Sequence, residues 1–200
     1  MQKLHLLTSK ERIVERPIDY ILLTREWTVA TDSHAIVAHK TDKIFDTFNK
    51  AFTEELSNDD RYLIAPDQWK KLCLSKVYRC EFDKNNNAII TKDNRFNILD
   101  IVQLKKESDI GKYPDWEHVF PSETGSSISA LGLSPQSLHN LQQAIYPKAS
   151  KKDICPLFLF FSHATAEGTT ESAIIVKSYN EVYSNDNFKA IMMPYVVLNR

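Results

Sequence analysis

Apolar residues recur at three- and four-residue spacing from Asp42 to Leu56: Ile44, Phe45, Phe48, Ala51, Phe52 and Leu56, with Lys43, Asp46, Lys50 and Glu54 on the opposite side. That period predicts an amphipathic helix. A second, shorter helix is predicted over Pro66–Leu72, because proline suits the first helical position. A third runs over Pro135–Tyr146, opened by Ser134 as N-cap, with Leu138, Leu141, Ala144 and Ile145 as its buried stripe. Between these lie short runs rich in β-branched and aromatic residues: Ile18–Thr24, Trp27–Thr31, Ala35–His39, Lys76–Phe82 and Ala88–Thr91. Arg25-Glu26 permits a tight hairpin and Asp83–Asn87 supplies left-handed-tolerant turn residues, so the strands are predicted antiparallel.

Element order then repeats. From Tyr62 the chain reads strand, the Pro66 helix, and strands from Lys76, Ala88 and Phe96. From Ile128 it reads strand (Ile128–Leu133), the Pro135 helix, and strands over Leu157–His163, Ser172–Ser178 and Lys189–Leu198. Each stretch is a β-α-β-β-β unit, an internal repeat visible in order rather than in residue identity. Three of the four glycines, Gly111, Gly125 and Gly132, fall in 111–132, and Ser122–Ser127 is small and polar after Pro121. The predicted organisation is one unit over 1–121, a linker at 122–127 and a second unit over 128–200. The fold class is α+β, with helices on one face of antiparallel sheets.

Charge excludes some classes. The 25 basic and 26 acidic residues of the 200-residue chain leave a net −1, balanced 18 to 18 over 1–111 and 7 to 8 over 112–200, so neither part is basic as a nucleic-acid domain is. The longest apolar run, Cys155–Phe161, contains a proline and is far short of the roughly 20 residues a membrane span needs. Lys10, Glu11 and Arg12 interrupt any signal-peptide core, so the expected compartment is the cytoplasm. Cys73, Cys80 and Cys155 have no CxxC spacing and are predicted to be reduced, buried thiols.

Three stretches together resemble the bacterial sliding clamp, the β subunit of DNA polymerase III. Arg16-Pro17, then Tyr20–Leu23 and Val29–Val37 (VATDSHAIV), are similar to the clamp's "RP…VATDGHRLA" strand-turn-strand. Tyr113–Pro121 (YPDWEHVFP) resembles its "FPDYRRVIP" interdomain connector, and Ile191–Val197 (IMMPYVV) its terminal "VMPMRL" strand. The resemblance covers most of the chain and implies a DNA-clamp-like fold of repeated β-α-β-β-β units. Residues 1–121 resemble a middle domain whose first helix is missing or reduced to about Ser9–Arg16, and 127–200 resemble the second half of a last domain.

The resemblance implies a non-catalytic role in DNA replication or repair. The three motifs of the family converge on a hydrophobic pocket that accepts linear motifs from polymerases and the clamp loader. By position, that pocket is lined here by Thr31, Ser33, His34, Ala35, Ile36, Pro114, His118, Val119, Ile191, Met193, Pro194, Tyr195 and Val196. Ala35, His118 and Val196 replace family arginines and Ser33 a glycine, which implies altered peptide specificity. Family helices face DNA; here Lys70, Lys71 and Lys76, with Lys148, Lys151 and Lys152, are the candidate phosphate contacts, and the other partner is double-stranded DNA. A homo-oligomer is left open. The alternative is a phage or mobile-element interaction protein that keeps the fold, binds a protein partner and does not encircle DNA.

Other chemistry is sparse. Asp32 and His34 sit two residues apart in a turn with no nucleophile beside them, and His118, His139 and His163 show no metal-ligand spacing. The expectation is a protein with no catalytic residues, no metal and no cofactor.

Overall fold

The computed structural model describes residues 2–10, 16–46, 48, 52–119, 134–146, 157–161, 174–178 and 188–193. Its strands are β1 (Ile21–Leu23), β2 (Trp27–Thr31), β3 (Ala35–Lys40), β4 (Tyr62–Ile64), β5 (Arg79–Asp83), β6 (Ala88–Lys92), β7 (Ile98–Gln103), β8 (Lys105–Lys106), β9 (Leu157–Phe161), β10 (Ile174–Ser178) and β11 (Phe188–Met192). The helices are α1 (Thr41–Phe45), α2 (Pro66–Leu72), α3 (Glu107–Ile110) and α4 (Pro135–Ile145). The strands form an antiparallel eight-stranded sheet in the order β8-β4-β1-β2-β3-β11-β10-β9 and a three-stranded sheet in the order β5-β6-β7.

Alternation along the strands divides the large sheet into two faces. Leu23, Ala30, Ala35, Val37, Ala190 and Met192 turn to one side, where Trp69 and Leu72 of α2 and Leu141, Ala144 and Ile145 of α4 complete a single core. Cys80, Phe82, Ile89 and Val102 of the small sheet close the same core. Leu22, Val29, Ile36, Ala38 and Ile191 turn to the other side, beneath Tyr113 and Trp116. Residues from both sides of the predicted 122–127 boundary therefore share one sheet, through β3–β11, and one core. The boundary itself, and the strand expected over 128–133, lie outside the described residues.

One helical expectation is corrected in the described residues. The helix predicted over 42–56 is described as α1, a turn in which Phe48 N–H donates to the Phe45 carbonyl, and a 3-10 turn over Phe52–Glu55. Its apolar periodicity is satisfied by packing: the Phe45 and Phe52 rings stack with centroids 4.0 Å apart, and Trp69 meets Phe45 edge-on. The expectation of a helix missing or reduced to about Ser9–Arg16 lies largely outside the described residues; ahead of it stands a 3-10 turn at Leu4–Leu7, and Ser9 N–H bonds the Ile18 carbonyl. Leu4 and Leu7 of that turn are wholly buried, in the core that α2 and α4 share, and Trp69 Nε1–H anchors the segment by donating to the Gln2 carbonyl at 2.8 Å.

Candidate functional site

The turn between β2 and β3 is built by one carboxylate. Asp32 Oδ1 accepts from the backbone N–H of His34 at 2.9 Å and of Ala35 at 2.8 Å, while Ser33 N–H donates to Thr31 Oγ1 at 3.2 Å. Ser33 is held at φ 75°, the left-handed region that glycine enters without steric cost. The Asp32 carboxylate is thereby committed to the turn, which explains an Asp-x-His sequence without a catalytic pair.

The other two motifs arrive at this turn and the sheet face behind it. Met193 N–H donates to the His34 carbonyl at 2.7 Å, extending the β3–β11 ladder in which Met192 opposes Ala35 and Ile191 opposes Ile36. From the connector, Tyr113 is buried with its hydroxyl 3.4 Å from the Val29 carbonyl, and burial pushes that phenol's pKa up. Glu107 fixes the start of the connector, accepting from Tyr113 N–H at 2.7 Å and pairing with Arg61. Trp116 meets Trp27 edge-to-face, centroids 5.7 Å apart. Tyr113, Trp116, Ile36 and Ile191 belong to one apolar cluster, with Met193 packed against it.

Of the pocket residues read from the sequence, Thr31, Ile36, Ile191 and Met193 share this face, at the end of β2, β3 and β11 nearest the turn. His34 and Ser33 are on the turn itself. Ala35 departs from the expectation: strand alternation sends its side chain to the helix-side core, where it is buried, so it lines nothing on the connector side. Pro114 is half-buried, and His118 and Val119 are exposed on a 3-10 turn at Glu117–Val119. His118 Nδ1 lies 2.8 Å from Asp115 Oδ2, a bond that raises the imidazole's pKa and lowers the carboxyl's. Pro194, Tyr195 and Val196 lie outside the described residues. Trp116 is a contributor the sequence reading missed, although its position two residues after Pro114 was the available signal.

On the helix side, Lys70 and Lys76 are exposed, but Lys71 reaches Asp100 Oδ1 at 2.9 Å and the Ile101 carbonyl at 3.3 Å and is occupied by β7. Lys148, Lys151 and Lys152 lie outside the described residues. Lys3 joins this side unforeseen, donating to Gln143 Oε1 of α4 at 2.8 Å. Lys3 and Lys70 both disfavour protonation of His5 between them, whose pKa is lowered to about 4 chiefly by burial. The exposed turns of α4 carry Gln136, His139 and Asn140 and no lysine, arginine, aspartate or glutamate. Burial raises the thiol of Cys73 to about 11 and of Cys80 to about 12, keeping both protonated. Among the described residues no cluster of three or more His, Cys, Asp or Glu side chains could hold a metal ion, and no helix is long and apolar enough to cross a membrane.

Comparison of the whole fold gives its relatives. The DNA polymerase sliding clamp of Bacillus subtilis superposes with a TM-score of 0.51 over 98% of this chain and 62% of the clamp, at 12% identity. The β chain of DNA polymerase III from Streptococcus pneumoniae matches with a TM-score of 0.49, 16% identity and the same coverages. No family model and no curated protein matches the sequence. The fold is that of the bacterial sliding clamp, and the chain spans 62% of the length of the clamps it is superposed on.

Proposed function

We propose that this chain is a non-catalytic, clamp-like docking protein of DNA replication or repair, working in the cytoplasm. Its connector face receives a linear peptide of a polymerase or clamp loader. The observation that carries the reading is the bond from Met193 N–H to the His34 carbonyl, which ties the terminal strand to the Asp32-stabilised turn beside the Tyr113–Trp116 cover. A rigid turn, an adaptable methionine and an aromatic wall around Ile36 and Ile191 are what a short apolar motif requires. His34, Pro114, His118 and Val119 supply the rim, and Pro194, Tyr195 and Val196 are proposed as further peptide contacts. Lys70 and Lys76, with Lys148, Lys151 and Lys152, are the proposed contacts to double-stranded DNA.

A second reading is favoured by the absence of lysine and arginine from α4 and the engagement of Lys71 by Asp100: an interaction protein of phage or mobile-element type that does not encircle DNA. The deciding experiment is a fluorescence-anisotropy titration of a labelled polymerase-type clamp-binding peptide, against this chain and a Met193→Ala, Pro194→Ala variant. Micromolar affinity, about −8 kcal/mol, that the variant loses is the expected result. A folded protein that does not bind the peptide overturns the docking role.

A further inference from the structure

The outward face of the three-stranded sheet carries a feature the clamp reading does not use. Among the described residues, six large hydrophobic side chains are exposed, and four of them, Tyr78, Phe96, Ile98 and Ile101, lie on this sheet or its turns, at 58, 55, 61 and 42%. The inward face takes Cys80, Phe82, Ile89 and Val102 into the core. The outward face is left with Arg79, Glu81, Ile90 and Lys92, and a bulge opposite Thr91 and Lys92 brings Ile98 to the same side as Ile101.

Phe96 is the most informative residue. It sits at φ 65° in the turn between β6 and β7, a conformation unfavourable for an aromatic residue. Asp93 enforces it by accepting from the N–H groups of Arg95 at 2.8 Å and Asn97 at 2.9 Å and from Asn97 Nδ2 at 3.1 Å. The ring so presented meets Tyr78 edge-on at 6.4 Å, and the Arg79 guanidinium lies 5.7 Å from its centroid. Within the isolated fold the strained turn is offset only by these two contacts, and more than half of the residue stays exposed.

The charges around the pair say what kind of partner it fits. Arg79 lies by the Phe96 ring and opposes Lys92 across β5 and β6, with Arg95 next to Phe96 and Lys76 two residues before Tyr78 in the chain; the acids nearby are Glu81, shared between Lys92 at 2.8 Å and Arg79 at 3.5 Å, and Asp93, whose oxygens serve the turn. This cationic rim repels a second copy of the same face and attracts carboxylates. The free edge of β7 is closed to strand addition, since Gln103 N–H donates to Gln68 Oε1, Ile101 N–H to Asp100 Oδ1, and Lys71 Nζ to the Ile101 carbonyl. On the β7 side a partner therefore meets side chains rather than a free strand edge. Exposed isoleucines beside a tyrosine and an arginine are the composition of a protein interface core rather than of a base-stacking groove.

We propose that the outward face of β5-β6-β7 is a protein-docking surface, anchored by Phe96 and Tyr78, for an acidic segment that presents aliphatic or aromatic side chains. The test is selection of short random peptides displayed on phage against the full chain, with depletion on Phe96→Asn, followed by anisotropy titration of the enriched peptides. Asn tolerates the left-handed turn, so this variant is expected to keep the melting temperature of the parent. Ile98→Thr, a β-branched replacement on an exposed strand, is the second variant should the first not fold. Enriched peptides that combine apolar residues with Asp or Glu, bind about tenfold more weakly to either variant and weaken with added salt are the expected result. Enrichment of uncharged or basic peptides, or equal binding by folded variants, overturns the proposal. So does tight binding of a labelled dT oligonucleotide lost in Phe96→Asn, which makes the face a nucleic-acid surface, or a sedimentation-detected dimer abolished by that substitution, which makes the occupant a second copy.

Discussion

At the scale of single residues, two side chains at positive φ show how differently strain is used. Ser33 stands where the clamp motif has glycine, and the structure retains the glycine-like conformation by surrounding it with bonds from Asp32 and Thr31. A non-glycine residue in that region costs about 1–2 kcal/mol, partly offset by the greater unfolded-state entropy of glycine, so Ser33→Gly is expected to stabilise the chain by about 0.5–1 kcal/mol. Urea denaturation of the two proteins measures this directly; a loss of stability would mean that the serine hydroxyl, 3.3 Å from His34 Nδ1, contributes more than the backbone suffers. Phe96 has the same backbone cost with a side chain that makes little use of the core, which is why it reads as an interaction residue and Ser33 as a tolerated one.

At the scale of elements, the helices opened by a proline, α2 and α4, were as legible in the sequence as the strands, and the long helix over 42–56 was not. Runs rich in β-branched and aromatic residues located β2, β3, β5 and β6 to within a few residues, because each is held by neighbours on both sides or by a tight turn. The Asp42–Leu56 pattern reads equally well as a helix or as a set of aromatic anchors, and the stacked Phe45–Phe52 pair shows the second solution in the described residues. Periodicity cannot separate the two, since both bury the same side chains. The N-terminal turn was invisible for a related reason: Leu4 and Leu7 form too short a run to carry a period, yet both are wholly buried in the core shared with α2 and α4. Leu7→Ala is accordingly expected to cost about 2–5 kcal/mol, like other full burials of leucine, despite lying a few residues from the start of the chain. A urea midpoint within a few tenths of a kcal/mol of the parent would show the turn to be peripheral. The site was partly legible as well: its three motifs were readable one by one, but not that alternation turns Ala35 away while Trp116 joins.

At the scale of the whole molecule, the joint between the two repeats is where sequence order and spatial order part. The sequence separates 1–121 from 128–200, whereas β3 and β11 pair over five residues from Phe188↔His39 to Met192↔Ala35. Lys40 and Lys189, from the two sides of that joint, both lie over the Trp27 ring, at 4.0 and 5.2 Å. His39 is buried at the same joint, opposite Phe188 and hydrogen-bonded to the Ala144 backbone, and desolvation lowers its pKa to about 4. Such a histidine is neutral in the folded chain at pH values where the unfolded chain has already taken up a proton. Stability is therefore full above about pH 6.5, declines as the pH falls from 6.5 towards 4 at about 1.4 kcal/mol per unit from this group, and levels below that, where the folded state protonates too. Because the group sits between the repeats, acid is expected to weaken both together: fluorescence, whose tryptophans Trp27, Trp69 and Trp116 all belong to the first unit, and far-UV circular dichroism should report one coincident urea transition at every pH. His39→Gln should reduce the slope between pH 6.5 and 4 without abolishing it, since His5, lowered to about the same value, titrates in the same window, and should leave the transitions coincident. Transitions that separate already at neutral pH would instead show that the two repeats fold as independent domains, and that the β3–β11 ladder is a contact between them rather than part of a common core.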